Sequence, residues 1–198
     1  IFFMLSSVSV FGQGKYGADS AECIKYLSYY KEHFKQKNYK DAIPSWRKAY
    51  KLCPPTANQT MLIDGASLLR QLINQNAKNA TYKAALVDTL MTLHDTRAKF
   101  YPKYAETALN NKGLDMINYL KSEPERALKL SKEVMANNGA ATNPQVVAFA
   151  FQSACDLFAA GKVEADELIS FYDESVNLMD AIKAKGTTAD VDGMKSNV

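Results

Sequence analysis

The sequence predicts an all-α fold built from about four antiparallel helix hairpins, and three observations carry that expectation. Apolar residues recur at intervals of three and four from Asp19 to about Lys185. No stretch alternates apolar and polar residues, as a half-buried strand does, over more than a few positions. Clusters of glycine, proline and asparagine interrupt the periodic text at short intervals, as turns between helices do. With 198 residues, 47% of them hydrophobic and 23% charged, the chain can bury a sizeable core and has the composition of an ordinary globular protein.

The first hairpin is the clearest. Asp19 with Glu22 reads as a capping box ahead of a helix whose stripe is Ile24, Leu27, Tyr30 and Phe34, widened by Tyr26 and Tyr29. That helix should end near Lys37. Asn38 then stands where a cap is needed, and Ala42, Trp46, Ala49, Tyr50 and Cys53 mark the buried face of the second helix. Pro44 is expected in its first turn, where the missing N–H costs little, and Cys53-Pro54-Pro55 ends it. So short a turn lays two helices antiparallel with their stripes together.

Within this hairpin the run Tyr39, Ala42, Trp46, Ala49, Pro54 resembles the second half of a tetratricopeptide repeat (TPR), in which alanines let two helices approach, aromatics fill the gap and proline ends the unit. Tyr26 stands where the family often has tryptophan, and Tyr30 departs from the small residue the family prefers. The match runs from Cys23 to Thr56. The resemblance implies a TPR-like α-solenoid, a right-handed superhelix whose concave groove holds a segment of another protein.

Three weaker units follow, giving approximate boundaries of 19–55, 56–102, 103–139 and 140–186. In the second, Thr56 with Gln59 is placed to cap a helix with the stripe Leu62, Ala66, Leu69 and Ile73, and Gly65 lies near the family's glycine. Its partner helix carries Tyr82, Leu86, Leu90, Leu93 and Phe100. In the third, Ser122 and Glu125 suggest another capping box, with Ala127, Leu130 and Val134 facing inward and Asn137-Asn138-Gly139 closing the helix. In the fourth, Thr142, Pro144 and Gln145 open a helix with Val147, Phe151, Ala154 and Phe158 inside. Gly161-Lys162-Val163 turns the chain, and Leu168, Tyr172, Val176 and Met179 face back. Residues 187–198 are poor in apolar groups and read as a linker or cut end leading to further repeats, because a stacked array needs a polar capping helix.

The uncharged run Ile1 to Phe11 is too short for a transmembrane helix, which needs about 20 residues. It fits the apolar core of a secretory signal, with Val10 and Gly12 as a small-residue pattern for cleavage before Gln13, and 1–13 is expected to be a truncated signal peptide. The expected location is therefore the periplasm or outer envelope; the competing reading is an apolar segment packed on the fold. Charge is unevenly spread within a net +3. Residues 15–56 hold nine basic and four acidic side chains, whereas 140–198 hold four basic and nine acidic. Solvated helix faces drift in charge, so this is either surface character or a basic end suited to an acidic partner or to head-to-tail self-association. Nucleic acid is disfavoured, because carboxylates dilute the basic residues and no binding module is recognisable.

Chemistry-bearing residues are sparse. Neither His33 nor His94 has a second histidine or cysteine at metal-ligand spacing, and each is expected as an ordinary surface or groove residue. Cys155 lies on an apolar stripe and reads as an inert core thiol. No nucleophile, base and orienting group stand in a recognisable constellation, so no catalytic residue, metal or cofactor is expected. Cys23 opens the first helix and Cys53 closes the second, ends that meet in an antiparallel hairpin. In an oxidising compartment they would form a disulfide; otherwise they are two buried thiols.

The leading expectation is a non-enzymatic scaffold for protein–protein contact in the cell envelope. Its groove would be lined by Leu27, Lys31, Phe34 and Lys35 of the first helix with Arg70 of the next unit. The carboxylate clamp of some family members is not supported, since Leu27 and Ser28 occupy the matching places and only Lys31 offers charge. Two alternatives remain: a helical enzyme or small-molecule-binding domain using a groove near His94 and Arg97, or a structural unit assembling through its oppositely charged ends.

Overall fold

A computed structural model describes residues 14–186, 190–196 and 198 of the chain. Every regular element among them is helical: α1 Ser20–Lys35, α2 Tyr39–Leu52, α3 Gln59–Gln75, α4 Ala80–Phe100, α5 Ala105–Tyr119, α6 Pro124–Asn138, α7 Pro144–Ala159, α8 Ala165–Ala184 and α9 Val191–Lys195. Short 3-10 turns at Pro102–Tyr104 and Gly139–Ala141 lead into α5 and α7. Two compact units, 1–68 and 69–198, divide within α3 and not at a turn between hairpins. The expected signal segment 1–13 lies outside the described residues.

In the first unit α1 packs on α2. The stripe of α1 is Cys23, Leu27 and Tyr30 with half-buried Phe34, so the expected register shifts by one residue at its start: Cys23 is buried and Ile24 is 45% exposed. The reason is that Cys23 is bonded to Cys53, with their Cα atoms 5.1 Å apart, which fixes that side of the helix inward. Tyr30 is buried and Tyr29 exposed, as consecutive helical positions require. The expected Asp19–Glu22 capping box does not form; Asp19 is the cap residue without a side-chain bond, and Glu22 instead pairs with Lys25 one turn on. Asn38 likewise occupies the cap position of α2, but its amide donates to Asp41 and caps no backbone N–H.

The α1–α2 turn is closed by two bonds, Lys37 N–H to the Phe34 carbonyl and Asn38 N–H to the His33 carbonyl, both 2.9 Å. This is a Schellman arrangement in which Lys37, at φ 58°, takes the left-handed position usually given to glycine. The same pair of bonds closes α7 at Gly161. Pro44 falls beyond the first turn, at the sixth residue of α2, because the helix begins at Tyr39. It removes one interior hydrogen bond, and the helix persists because Ala42, Ile43, Trp46 and Ala49 are buried around it.

Trp46 is the largest fully buried side chain of the chain. Its indole N–H donates to the Met61 carbonyl of α3 at 2.9 Å, and a Cβ added at Gly65 would stand 2.4 Å from its ring. Gly65 is thus the gap that admits the indole. α3 is capped by Asn58, whose side chain accepts from the Thr60 N–H at 2.9 Å, and not by Thr56 as the sequence suggests. Asn58 sits immediately before the first helical residue, the place a cap must occupy.

In the second unit α4 packs on α5, α5 on α6 and α7, α6 on α7, and α7 on α8. Leu86, Leu90 and Leu93 are buried as expected, but Phe100, at the end of α4, is exposed. Pro124 at the first position of α6 sets its start one residue later than the expected Ser122 cap, and Glu125 reaches Lys162 instead of closing a capping box. α7 is capped by Asn143, which accepts from the Gln145 N–H, while Thr142 is buried. A Cβ at Gly113 of α5 would lie 2.3 Å from Val146, so glycine sets the close approach of α5 and α7. Asn110 ties the same helices together: it donates to the Ala141 carbonyl and accepts from the Asn143 N–H, both at 2.8 Å, and Asn138 donates to it at 3.2 Å.

The last core is formed by Val147, Ala150, Phe151, Ala154 and Leu157 of α7 with Phe171, Met179 and Ile182 of α8. Phe158, expected inside, is exposed because Leu157 takes the buried position at that end of α7. On α8 the expected stripe is also one residue out. Phe171, Ser175, Met179 and Ile182 face inward, leaving Tyr172 exposed and only edge-on to Phe151. Of the expected linker, 187–189 and Asn197 lie outside the described residues, and the rest contains α9. This short helix buries Val191 against α7 and α8 and is tied down by Lys183–Asp192 and Lys195–Asp180 ion pairs.

The disulfide closes a loop 30 residues long and contributes about 3 kcal/mol through the restricted unfolded chain. Replacing both cysteines by serine should lower the stability of the first unit by that amount. Trp46, the one tryptophan, reports on this unit selectively. Its fluorescence transition in urea is expected at a lower midpoint in the variant, and at the same lower midpoint in wild-type protein unfolded with reductant. Coinciding oxidised and reduced transitions would remove the staple.

Candidate functional site

On α1, positions 24, 28, 31 and 35 fall on one side, next to the buried stripe. Ile24, Leu27, Ser28 and Lys31 together with Tyr16 and Asn58 line an open cleft of about 240 Å³. Its floor is apolar at Ile24 and Leu27, and its edge offers the Ser28 hydroxyl, the Asn58 amide and one ammonium. Lys31 is held there by Asp64 of α3: its Nζ lies 3.0 Å from Oδ2, the oxygen that also faces the Tyr30 hydroxyl at 3.4 Å. Burial raises the Tyr30 phenol well above its ordinary range, and the Asp64 charge adds to this, so the group remains a neutral donor.

Of the residues expected to line a groove, Leu27 and Lys31 reach this cleft, whereas Phe34 packs against Tyr39 with ring centres 5.5 Å apart and Lys35 is exposed one turn further on. Arg70 belongs to the second unit, where it is committed to Asp115: Nε and Nη2 donate to its two oxygens at 2.7 and 2.8 Å. Ile24, Ser28, Tyr16 and Asn58 were not legible as site residues. Ile24 reads as part of the buried stripe until Cys23 takes that side, and the other three lack any periodic signal.

The second unit contains a polar interior. His94, expected at the surface or in a groove, is only 2% exposed, and its Nε2 lies 2.7 Å from Asp115 Oδ2. About two turns of α4 bury Leu86, Leu90 and Leu93, and His94 follows on the same side. Asp115 therefore receives Arg70 on one side and His94 on the other. Burial favours its neutral acid, but the hydrogen bonds from His94 and Arg70 and the guanidinium charge outweigh that and hold its carboxyl below the usual range. Arg97 is buried too, with its guanidinium carbon 5.9 Å from the Tyr104 ring centre. Nearby, the nearly buried Lys112 extends its ammonium to Asp95 at 2.8 and 2.9 Å, with Glu133 at 3.9 Å.

These contacts join α3 to α5, α4 to α5 and α5 to α6. Those of Arg70, His94 and Lys112 satisfy groups that packing has removed from water, which is a structural task. Cys155 is half-buried against the α7–α8 core, and burial, with Asp156 nearby, pushes its thiol above the ordinary range, away from the nucleophilic thiolate. No group of three or more metal-ligating side chains occurs among the described residues, and no described helix is long and apolar enough to cross a membrane.

No protein-family model matches the chain, and no curated protein matches it at a significant level.

Proposed function

We propose that the chain is a non-enzymatic, TPR-like scaffold of the cell envelope that holds a segment of another protein. The observation that carries this reading is the open cleft on α1. It combines exposed Ile24, the edge of Leu27, a hydroxyl and a fixed ammonium on one face of α1 with the amide of Asn58 beside it, which is the pattern of an apolar anchor site with a polar rim. The surrounding lysines suit an acidic segment. A right-handed superhelical stacking of the hairpins and export through the segment 1–13 belong to the same proposal. They rest on the TPR-like spacing of Tyr39, Ala42, Trp46, Ala49 and Pro54 and on the uncharged run at the start of the sequence.

The exposure of Ile24 makes it testable without harm to the fold. Ile24→Asp should leave the circular dichroism and the Trp46 fluorescence transition unchanged, and should abolish recovery of a protein that wild-type chain retains in stoichiometric amount from a native envelope extract. Equal recovery by both proteins would remove the α1 cleft as the binding face.

A further inference from the structure

We propose that a second copy of this chain is an occupant of the α1 cleft, and that it docks through the outward side of α8. The inference rests on the reading of that cleft as a binding face and names its partner.

α8 has two apolar sides. Phe171, Ser175, Met179 and Ile182 bind it to its own core. Ala165, Ile169, Tyr172 and Val176 form a second stripe, which this packing uses only in part, through half-buried Val176 and the edge of Tyr172 against Phe151. Ile169 is 60% and Tyr172 44% exposed, and Ile169 is the most exposed large apolar side chain among the described residues. Toward its C-terminal end the outward side is occupied: Lys183 and Asp180 are paired with Asp192 and Lys195 of α9. The open part is therefore the stretch from Ala165 to Val176.

This stripe matches the α1 face in spacing and in charge. Ala165, Ile169, Tyr172 and Val176 follow each other at intervals of four, three and four, and so do Ile24, Ser28, Lys31 and Lys35. Each run spans about 16 Å of helix. Exposed Asp166 and Asp173 flank the α8 stripe, while Lys31 and Lys35 occupy one end of the α1 stripe. Laid antiparallel, the two helices put Ile24 against Tyr172 and Val176 and bring Lys35 to the Asp166 end. The excess of acidic residues in 140–198 and of basic residues in 15–56 acts in the same sense at longer range.

A contact confined to one helix and one cleft is small, so the association is weak and sensitive to salt. Because different faces meet, it is heterologous: each added copy leaves one α1 face and one α8 face open, and the series has no closed end unless the rotation between copies happens to form a ring.

Sedimentation equilibrium of the whole chain tests this. At low ionic strength the weight-average mass should rise continuously with concentration and fall toward the monomer as sodium chloride is added. Ile169→Lys, and separately Asp166→Lys with Asp173→Lys, should each weaken association at least about tenfold, since like charges then face Lys31 and Lys35 across the contact. All three positions are exposed, and unchanged thermal transitions will verify folding. A wild-type chain that stays monomeric at low salt up to its solubility limit overturns the proposal, as does association that the α8 variants leave intact. If the chain is monomeric while Ile24→Asp still abolishes recovery of a foreign protein, the α1 cleft stands and only the homotypic occupant falls. If association depends on Ile169 but not on Ile24, the proposed pairing of α8 with α1 is wrong.

Discussion

Replacing Asp115 by alanine is expected to destabilise the second unit by about 3–5 kcal/mol, the usual cost of removing one partner from a buried charged group. The carboxylate is 2% exposed and serves both Arg70 and His94. Its loss leaves the guanidinium and the buried His94 Nε2–H without an acceptor and opens a void between α4 and α5. Asp115→Asn, which keeps the shape and one acceptor, should cost less. Urea unfolding followed by circular dichroism checks both.

The pH dependence follows from the same contacts. Asp115 has a lower pKa in the folded chain than in the unfolded one. Its contribution is complete above the ordinary aspartate range, near about 3.9, and is lost as pH falls through the lower folded value. Stability should therefore fall more steeply with acid below about pH 4 in the wild type than in Asp115→Asn. Parallel acid slopes for the two proteins would show that the network carries no such linkage.

The second large effect concerns Trp46 and Gly65. Trp46→Ala removes the largest buried side chain and should cost about 3–5 kcal/mol. Gly65→Ala should cost about 1–3 kcal/mol, although alanine is the better helix former, because its Cβ would meet the indole at 2.4 Å. The two changes must not add. In a Trp46→Leu background the obstruction is gone, and Gly65→Ala should become neutral or stabilise by up to about 1 kcal/mol. A Gly65→Ala cost that is the same in both backgrounds would mean that the glycine is needed for something other than the indole.

The helical fold was legible because 3.6-residue periodicity survives small errors of register, and Ala42, Trp46, Ala49, Leu62, Leu90 and Met179 are buried where it places them. Precise facing was less legible. At α1 and α8 two adjacent apolar residues compete for the same side, Cys23 with Ile24 and Phe171 with Tyr172, and composition cannot choose between them. The disulfide decides the first, and the packing of Phe171 against Phe151 decides the second. The capping-box pattern at Asp19 and Ser122 does not decide the cap, because an acidic residue three positions on can instead pair with a lysine, as Glu22 and Glu125 do. The polar interior was invisible for a different reason. Arg70, His94 and Asp115 are far apart in sequence, and nothing local marks a histidine for burial until the carboxylate of another helix is placed beside it.

That placement bears on function. Of the side chains that look most like chemistry, His94, Asp115 and Lys112 are occupied in holding α3 to α6 together, whereas the open apolar cleft lies on α1 in the first unit. The most direct test is a photo-reactive amino acid introduced at Ser28, inside the cleft, and in parallel at Lys129, an exposed position on α6, with irradiation in the native host. Partner adducts of defined mass at Ser28 that are missing at Lys129 and vanish when Ile24→Asp is added are the predicted result. Adducts of equal yield at both positions, or at Ser28 irrespective of Ile24, would contradict the account.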